Sequence, residues 1–339
     1  MDERKVVVAT IRDVAEAAGV SIATVSRALR GLPSVAPSTR SRVEEVARRL
    51  SYVPDPYASR LSSSQGHTIL VAVPLPGQWY YAQVVEGVEA VASEQGFDLQ
   101  LHVVADDWQR RRFIDEVLPQ QKRIDGAILV DVPLSAGDAG LLVKRGNLLI
   151  AVGQHVDDVV SIRIDNRTAA HQATMHLTEA GHIRIGLLGG MPDGRSHLSI
   201  PGEREEGFKK ALEDAGVELD ESIVVNGNFS IDGGAEAARE LLGLGKPPTA
   251  VFALSDEMAV GVMQTARQMK VAIPGALSLV GFDDHEFSSA IGLTTVRQPV
   301  VEMGSLAAQA LLDAIAGNPW PEDRVVEHQL VVRDTTAPI

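Results

Sequence analysis

The chain has 339 residues, 45% of them hydrophobic, enough apolar material for a substantial core and too much length for one ordinary domain. It carries no cysteine, which excludes disulfides and cysteine-ligated zinc or iron–sulfur centres and suits a reducing compartment. The net charge of −14 divides unevenly, with ten Lys/Arg against seven Asp/Glu in residues 1–65 and twenty-one against thirty-eight in the rest, so only the head has the local charge that phosphate neutralisation favours. The opening MDERKVVVATIRDVAEAAGV is charged where a secretory signal needs its apolar stretch. No apolar run approaches the ~20 residues needed to span a bilayer, and a soluble cytoplasmic protein is expected.

In chain order, Thr10-Ile11-Arg12-Asp13 reads as a helix start, with Thr10 at the cap and a carboxylate in the electropositive first turn. Val14, Ala17 and Ala18 form its apolar face. Gly19-Val20 turns the chain, and Ser21 caps a second helix, SIATVSRAL, in which Val25 and Leu29 are assigned to the core. A third helix, PSTRSRVEEVARRL, offers Val43, Val46, Ala47 and Leu50. Two short helices across a glycine-containing turn make a helix-turn-helix, although the pattern alone also fits any small three-helix bundle.

Beyond Tyr52-Val53-Pro54, Asp55 at a cap and Pro56 at the first helical position specify a short helix that ends near Leu61. At about two turns it falls below the ~12–15 residues an isolated helix needs in water. Ser62 to Gly66 reads as flexible linker.

From His67 onward, short β-rich runs alternate with amphipathic helices. The strand candidates are TILVAVP, FDLQLHVV, DGAILVD, NLLIAVG, RIGLLGG, SIVVNG, TAVFAL and LSLVGFD. Such alternation means parallel sheets covered on both faces, an α/β core. Gln83–Phe97 and Glu203–Val217 echo each other as helices that close on Gly and an apolar residue, which suggests two similar lobes. GLLGG at 186–190 is not a dinucleotide fingerprint, and no P-loop, G-x-S-x-G or H-E-x-x-H occurs. The nine histidines show no metal spacing. Asp157-Asp158 and Asp283-Asp284 are adjacent acids of the kind usually solvated or capping. No catalysis, metal or cofactor is therefore expected.

The run TIRDVAEAAGVSIATVSRALRG, followed by V-x-x-x-TR-x-x-V and L-x-Y-x-P, closely resembles the DNA-binding head of the LacI–GalR repressor family, from Thr10 to Leu61. The remainder resembles that family's two-lobed core of the periplasmic sugar-binding type. The implied layout is a helix-turn-helix head at 1–54, a hinge helix and linker at 55–66, and a core at 67–339. Its N-lobe would span about 67–161 plus 290–320, and its C-lobe about 162–289 plus 321–339. By position in that family, Ile22, Ala23 and Arg27 read base edges, and Ser21, Thr24, Ser26 and Arg30 hold phosphates. Arg27 can donate twice to guanine, while Ile22 and Ala23 offer apolar contact only. Arg30 stands where Asn is common, and Ala36-Pro37 where a Ser-polar pair is common. Leu61 takes the place of a leucine that wedges into the minor groove.

The resemblance also implies an effector cleft. Tyr80 and Tyr81 in PGQWYY would face it from the N-lobe, where flat rings suit a sugar or base; a core or dimer patch is the alternative. Arg204 in GEREEGF takes the place of the effector-clamping arginine, suited to paired hydroxyls or a carboxylate. Phe229 takes that of the stacking aromatic. Ser255 and Asp256 in ALSDEMAVG and Asp283 in VGFDD fall at strand C-termini, where open α/β folds bind ligands, although Asp256 also reads as a helix cap. Gln298 lies on a crossover. Gly153-Gln154 stands where many relatives carry an acidic–basic pair. The expected protein is a repressor of pseudo-palindromic double-stranded operator DNA, switched by a small effector, with a carbohydrate as the leading class. A homodimer is expected, because a single small head with few base contacts needs a symmetric partner, and no leucine heptad tail of the tetramerising kind follows. The rival readings are a transport sugar-binding protein, which needs a signal peptide and no helix-turn-helix, and an enzyme, which lacks a catalytic constellation.

Overall fold

The first helix, α1 (Ile11–Ala18), starts where a local hydrogen-bond exchange fixes it. The Thr10 N–H and hydroxyl both donate to the Asp13 carboxylate, at 2.7 and 2.8 Å, and those bonds hold the Asp13 pKa below its ordinary value. Gly19, at φ 64°, ends α1 in the left-handed region. Helix α2 (Ile22–Leu29) begins under Ser21, whose hydroxyl accepts the Thr24 N–H at 3.1 Å. Helix α3 (Pro37–Arg49) has proline in its first turn. From α3, Arg40 donates to the carbonyls of Gly31 and Leu32, at 3.0 and 2.8 Å, and so satisfies backbone just beyond α2. The three helices close over Val14, Ala15, Ala18, Val25, Ala28, Val43, Val46 and Ala47. Ala17, expected inside, is exposed. At 3.6 residues per turn, positions 14, 15 and 18 share the inner face and 17 rotates off it. Leu29 and Leu50 pack half-buried at the margin.

The computed structural model describes residues 9–29, 31–52, 66–120, 124–190 and 199–339. The chain divides into two compact units, Met1–Gly66 and His67–Ile339. Arg30, the expected hinge helix and its Leu61 lie outside the described residues.

The second unit contains two six-stranded sheets of one design. The first is built from β1 (Thr68–Val73), α4 (Trp79–Glu94), β2 (Asp98–Val103), α5 (Asp107–Arg112), a π turn (Phe113–Val117), α6 (Leu118–Gln120), β3 (Gly126–Val130), α7 (Ala136–Lys144), β4 (Leu149–Val152) and β5 (Val160–Arg163). The second is built from α8 (Asn166–Glu179), β6 (Ile185–Gly189), α9 (Ser199–Asp214), β7 (Val224–Asn226), α10 (Ile231–Leu242), β8 (Ala250–Ala253), α11 (Asp256–Met269), β9 (Ser278–Asp283) and β10 (Thr294–Arg297). Helix α12 (Val300–Ile315), β11 (Arg324–Val325) and β12 (Gln329–Val331) complete them. The strand orders are β2-β1-β3-β4-β5-β11 and β7-β6-β8-β9-β10-β12, the same winding twice. Every pairing is parallel except β10 with β12. Alternate residues of β1 serve both faces, Ile69, Val71 and Val73 on one and Leu70 and Ala72 on the other. That is the pattern of a sheet covered on both sides.

The lobe limits differ from those expected. Strand β5 keeps the first sheet to residue 163, β10 belongs to the second sheet, and β11 returns to the edge of the first. The changeovers therefore fall at 164–165, 298–299 and 326–328. Strands β5, β10, β11 and β12 have four residues or fewer, too short to show period-two patterning. Helix α12, although it follows a second-sheet strand, packs on α4 backbone to backbone. A Cβ on Gly87 of α4 would lie 2.0 Å from the Val301 carbonyl, and one on Gly304 would lie 2.2 Å from that of Val84. This contact fixes α4, whose first turn carries the aromatic run. Among the described residues, no helix is long and apolar enough to cross a membrane.

Candidate functional site

On the first unit, Ile22, Ala23 and Arg27 all lie on the exposed face of α2, opposite the fully buried Val25. Ile22 is 44% exposed, unusual for so apolar a side chain in a helix with its own core. Ser21 is exposed, and Thr24 and Ser26 are half-buried beside that face. The Ser21 and Thr24 hydroxyls stand 2.8 Å apart, so the cap of α2 pre-orients them. Helix α2 thus presents an apolar contact, a small residue and one long double donor, with hydroxyls at its N-terminus.

In the second unit a cleft opens at the C-terminal ends of the strands, the position the winding dictates for a ligand. Tyr80 and Tyr81 line it from the first lobe, and Arg204, Phe229, Ser255, Asp256 and Asp283 from the second. Contacts among the described residues join the lobes across it. The Gln78 side-chain amide donates to the Phe229 carbonyl at 3.1 Å, and the Trp79 and His285 rings lie 4.8 Å apart. The Glu257 carboxylate accepts the Trp79 N–H, while burial raises its pKa. Phe229 is held in the left-handed region at φ 47°, a conformation that costs a non-glycine residue about 1 kcal/mol or more and clusters at binding sites.

The second lobe's polar groups are bound to one another. Arg204 is buried with its Nε donating to Asn166 Oδ1 at 3.0 Å and its Nη1 to the Leu254 carbonyl at 2.7 Å. Its guanidinium stacks 3.6 Å above the Phe282 ring and stands 3.9 Å from Asp283 Oδ1. Burial lowers its pKa from the usual arginine value. Asp283 accepts from the Gln298 side chain at 2.5 Å, so Gln298 reaches the cleft through that carboxylate rather than by lining it. Burial raises Asp283 to about 8, against the pull of Arg204. The backbone at Asp283 and Asp284 is strained, with φ 122° and 55°, and Arg297 and Arg333 hold Asp284 at 2.6 Å each.

Ser255, not Asp256, caps α11: its hydroxyl accepts the Met258 N–H at 3.3 Å. Asp256 instead turns inward. Its carboxylate accepts from the His285 N–H at 2.8 Å, from Ser288 at 2.6 Å and from Thr295 at 2.6 Å. Burial raises its pKa to about 6 and those bonds oppose the rise. Asp256 is the tie between α11, the loop after β9, and β10.

The first lobe differs. The Tyr80 and Tyr81 rings meet edge to face at 5.2 Å, and the Tyr81 hydroxyl donates to Asp131 Oδ2 at 3.3 Å. Asp131, at the end of β3 with φ 50°, is only 6% exposed and lines the cleft. Its Oδ1 and the Tyr80 hydroxyl are buried without a hydrogen-bond partner among the described residues. Burial raises Asp131 to about 7, opposed by Arg204, and holds both tyrosines well above their ordinary value with Asp131 adding to it. Sequence reasoning passed over Asp131. An acid that terminates an apolar strand, DGAILVD, was the available signal. Gln154 turns away and donates to the Val132 carbonyl at 2.5 Å. Among the described residues no group of three potential metal ligands occurs.

Two protein-family profiles match. "Bacterial regulatory proteins, lacI family" covers residues 10–55, and "Periplasmic binding protein-like domain" covers residues 174–336. The transcriptional repressor CytR of Escherichia coli K12 is 34% identical over 336 residues, covering 97% of this chain and 96% of that protein. Among solved structures, the lac repressor dimer bound to operator and the anti-inducer ONPF superposes with a TM-score of 0.83 at 27% identity, covering 97% of this chain and 99% of that one. A complex of the transcriptional regulator CelR with cellobiose gives a TM-score of 0.70 at 31% identity, covering 96% and 99%.

Proposed function

The chain belongs to the lacI family of bacterial regulatory proteins, and from that premise we propose that it represses transcription by operator binding and is switched by a small molecule held between its core lobes. The observation that carries this is the pairing of two surfaces in one chain. A helix-turn-helix has a second helix exposing Ile22, Ala23 and Arg27, and a strand-end cleft has rings on one lobe and a buried arginine on the other. Arg27 reads guanine, Ile22 and Ala23 give apolar contact to bases, and Ser21, Thr24, Ser26 and Arg30 set the register on phosphates. Leu61 of the hinge takes the minor-groove wedge.

A single small head makes few base contacts, so two copies reading a pseudo-palindrome are required for useful affinity. The lac repressor seen as a dimer on its operator supports that arrangement. The sugar complex of CelR supports a carbohydrate as effector here. We read the protein as a cytoplasmic regulator and not an enzyme: Asp256, the most buried acid of the cleft, is spent on three structural donors rather than aimed at a reacting atom. Selection from random DNA followed by gel shift at two salt concentrations tests the first half. A symmetric consensus is expected, with affinity for it falling as salt rises. Recovery of no consensus, with equal binding to all sequences, contradicts the operator role.

A further inference from the structure

Arg27 sits in the last turn of α2, and the end of a short helix is where its backbone is least supported. Helix α2 has only eight residues, Ile22–Leu29, and the final carbonyls of a helix lack partners within it. Here the chain just beyond the helix supplies them. The Leu32 N–H donates to the Arg27 carbonyl at 3.1 Å, and the Gly31 N–H donates to the Ala28 carbonyl at 3.0 Å. Gly31 lies in the left-handed region at φ 68°, the conformation that this closing pair of bonds requires.

Those two residues are held in turn from α3. Arg40 Nη2 donates to the Gly31 carbonyl at 3.0 Å and to the Leu32 carbonyl at 2.8 Å. Its Nε is shut off from solvent and has no hydrogen-bond partner among the described residues, so that edge of the guanidinium is out of a phosphate's reach. Helix α3 is itself anchored in the core by Val43, Val46 and Ala47. The guanidinium also lies at the carbonyl end of α2, where the helix dipole favours a cation. A continuous path of bonds therefore runs from α3 through Arg40 and Leu32 to the backbone of Arg27.

Charge alone assigns every arginine of a basic head to the phosphates. Two of the three nitrogens of Arg40 are turned to the head itself instead, and only Nη1 is left for a phosphate. We propose that Arg40 is a positioning residue for base reading: it locks the end of α2 so that the Arg27 side chain leaves the helix at one fixed place. It sets discrimination between sequences rather than bulk affinity for DNA. A forked contact to a base edge needs its donors held to within about 0.5 Å, whereas phosphate contacts carry no sequence information directly. This rests on reading α2 as the operator-reading helix, and it adds the residue outside α2 that gives that helix its precision.

The test uses the full-length protein and three duplexes. They are the consensus recovered by selection from random DNA, that consensus altered at the base pair whose preference Arg27→Ala relaxes, and a random sequence. Anisotropy titrations at several salt concentrations compare wild type, Arg40→Met, Arg40→Lys, Arg27→Ala and the Arg27→Ala/Arg40→Met double variant. Arg40→Met keeps the aliphatic stem and removes the donors. It should bind the consensus about fivefold or more weakly, bind random DNA within about twofold of wild type, and keep the salt slope. Its preference for the consensus over the altered duplex should fall by a similar factor. Arg40→Lys restores a charged donor whose shape suits two carbonyls less well, and should recover part of the loss. In the Arg27→Ala background, Arg40→Met should change consensus binding by less than about twofold, because the contact it positions is gone. Hydrogen–deuterium exchange of the free proteins is the second measurement: in Arg40→Met it should quicken from Arg27 to Leu32 and stay unchanged in α1. Equal losses on consensus and random DNA, with a salt slope smaller by about one, would make Arg40 a phosphate contact and overturn the proposal. Faster exchange throughout the head, with all DNA binding lost, would overturn it too, since Arg40 would then hold the whole fold and not one turn. A selection that recovers no consensus contradicts the operator role and takes the proposal with it. A consensus that Arg40→Met binds as tightly as wild type contradicts this inference alone.

Discussion

The two faces of the cleft are built on the same sheet winding yet treat their polar groups in opposite ways. On the second lobe, Arg204, Asp256 and Asp283 are bonded to side chains and backbone of that lobe, and the strained Asp283-Asp284 backbone is clamped by Arg297 and Arg333. On the first lobe, Asp131 and Tyr80 each keep a buried polar atom without a partner among the described residues. Buried polar groups that satisfy each other rigidify a site, whereas unsatisfied ones carry a penalty that a suitable ligand removes. The second face is therefore preformed, and the first retains buried polar atoms that a bound group would satisfy.

Substitution should expose that asymmetry most strongly at Asp256. Asp256→Ala strands the Ser288 and Thr295 hydroxyls and the His285 N–H, and should lower core stability by about 3 kcal/mol or more, read in a urea titration. A loss under about 1 kcal/mol would mean that the second face is not held together as described. An intermediate effect is expected away from both faces. Arg27→Ala should cost roughly 1–3 kcal/mol on the operator and relax preference at one base pair per half-site, with effector affinity unchanged. If anisotropy titrations show equal losses on operator and random DNA, Arg27 holds phosphate instead.

The smallest effect sharpens the contrast from the first face. Asp131 is raised to about 7 by burial, with Arg204 and the Tyr81 hydroxyl pulling it down and Glu203 pushing it up. The folded state therefore binds this proton more tightly than the unfolded chain. Stability from this group is full below the ordinary aspartate range and is lost as pH rises through about 7. Asp131→Asn should flatten that part of the melting-temperature profile and leave the acid side unchanged. An unaltered slope between about pH 5 and 7 would remove Asp131 as its source.

Much of this was legible in the sequence where function is local. Ile22, Ala23 and Arg27 stand out by resemblance to the family's head, and because they lie within two turns of one helix begun by Ser21, their shared exposed face is a local property. The cleft was legible only in part. Asp256 and Asp283 fall at strand ends, and Arg204 and Phe229 stand out by resemblance to the family, but the roles of all four depend on partners remote in sequence. Asp256 looked like a cap because it follows Ser255; only the fold brings Thr295 and Ser288 to its carboxylate. Asp131 was passed over because an acid that closes an apolar strand is a weak mark by itself. Its significance comes from Tyr80, Tyr81 and a glycine on the neighbouring strand end. The lobe limits failed at β10 and β11 because strands that short carry no pattern of their own.

The most direct test of the account is effector-dependent release measured on one protein. Full-length wild type, Tyr80→Phe and Asp131→Ala are titrated onto a fluorescent operator obtained by selection, with and without whichever probe of D-ribose, D-glucose and cellobiose binds most tightly in calorimetry. The account predicts equal operator affinity for all three proteins without probe. It predicts a shift of about tenfold or more in wild type on adding probe, and a shift in the variants only at several-fold higher probe concentration. A probe that leaves wild-type operator affinity unchanged, or a shift that the variants show at the same concentration as wild type, would contradict it.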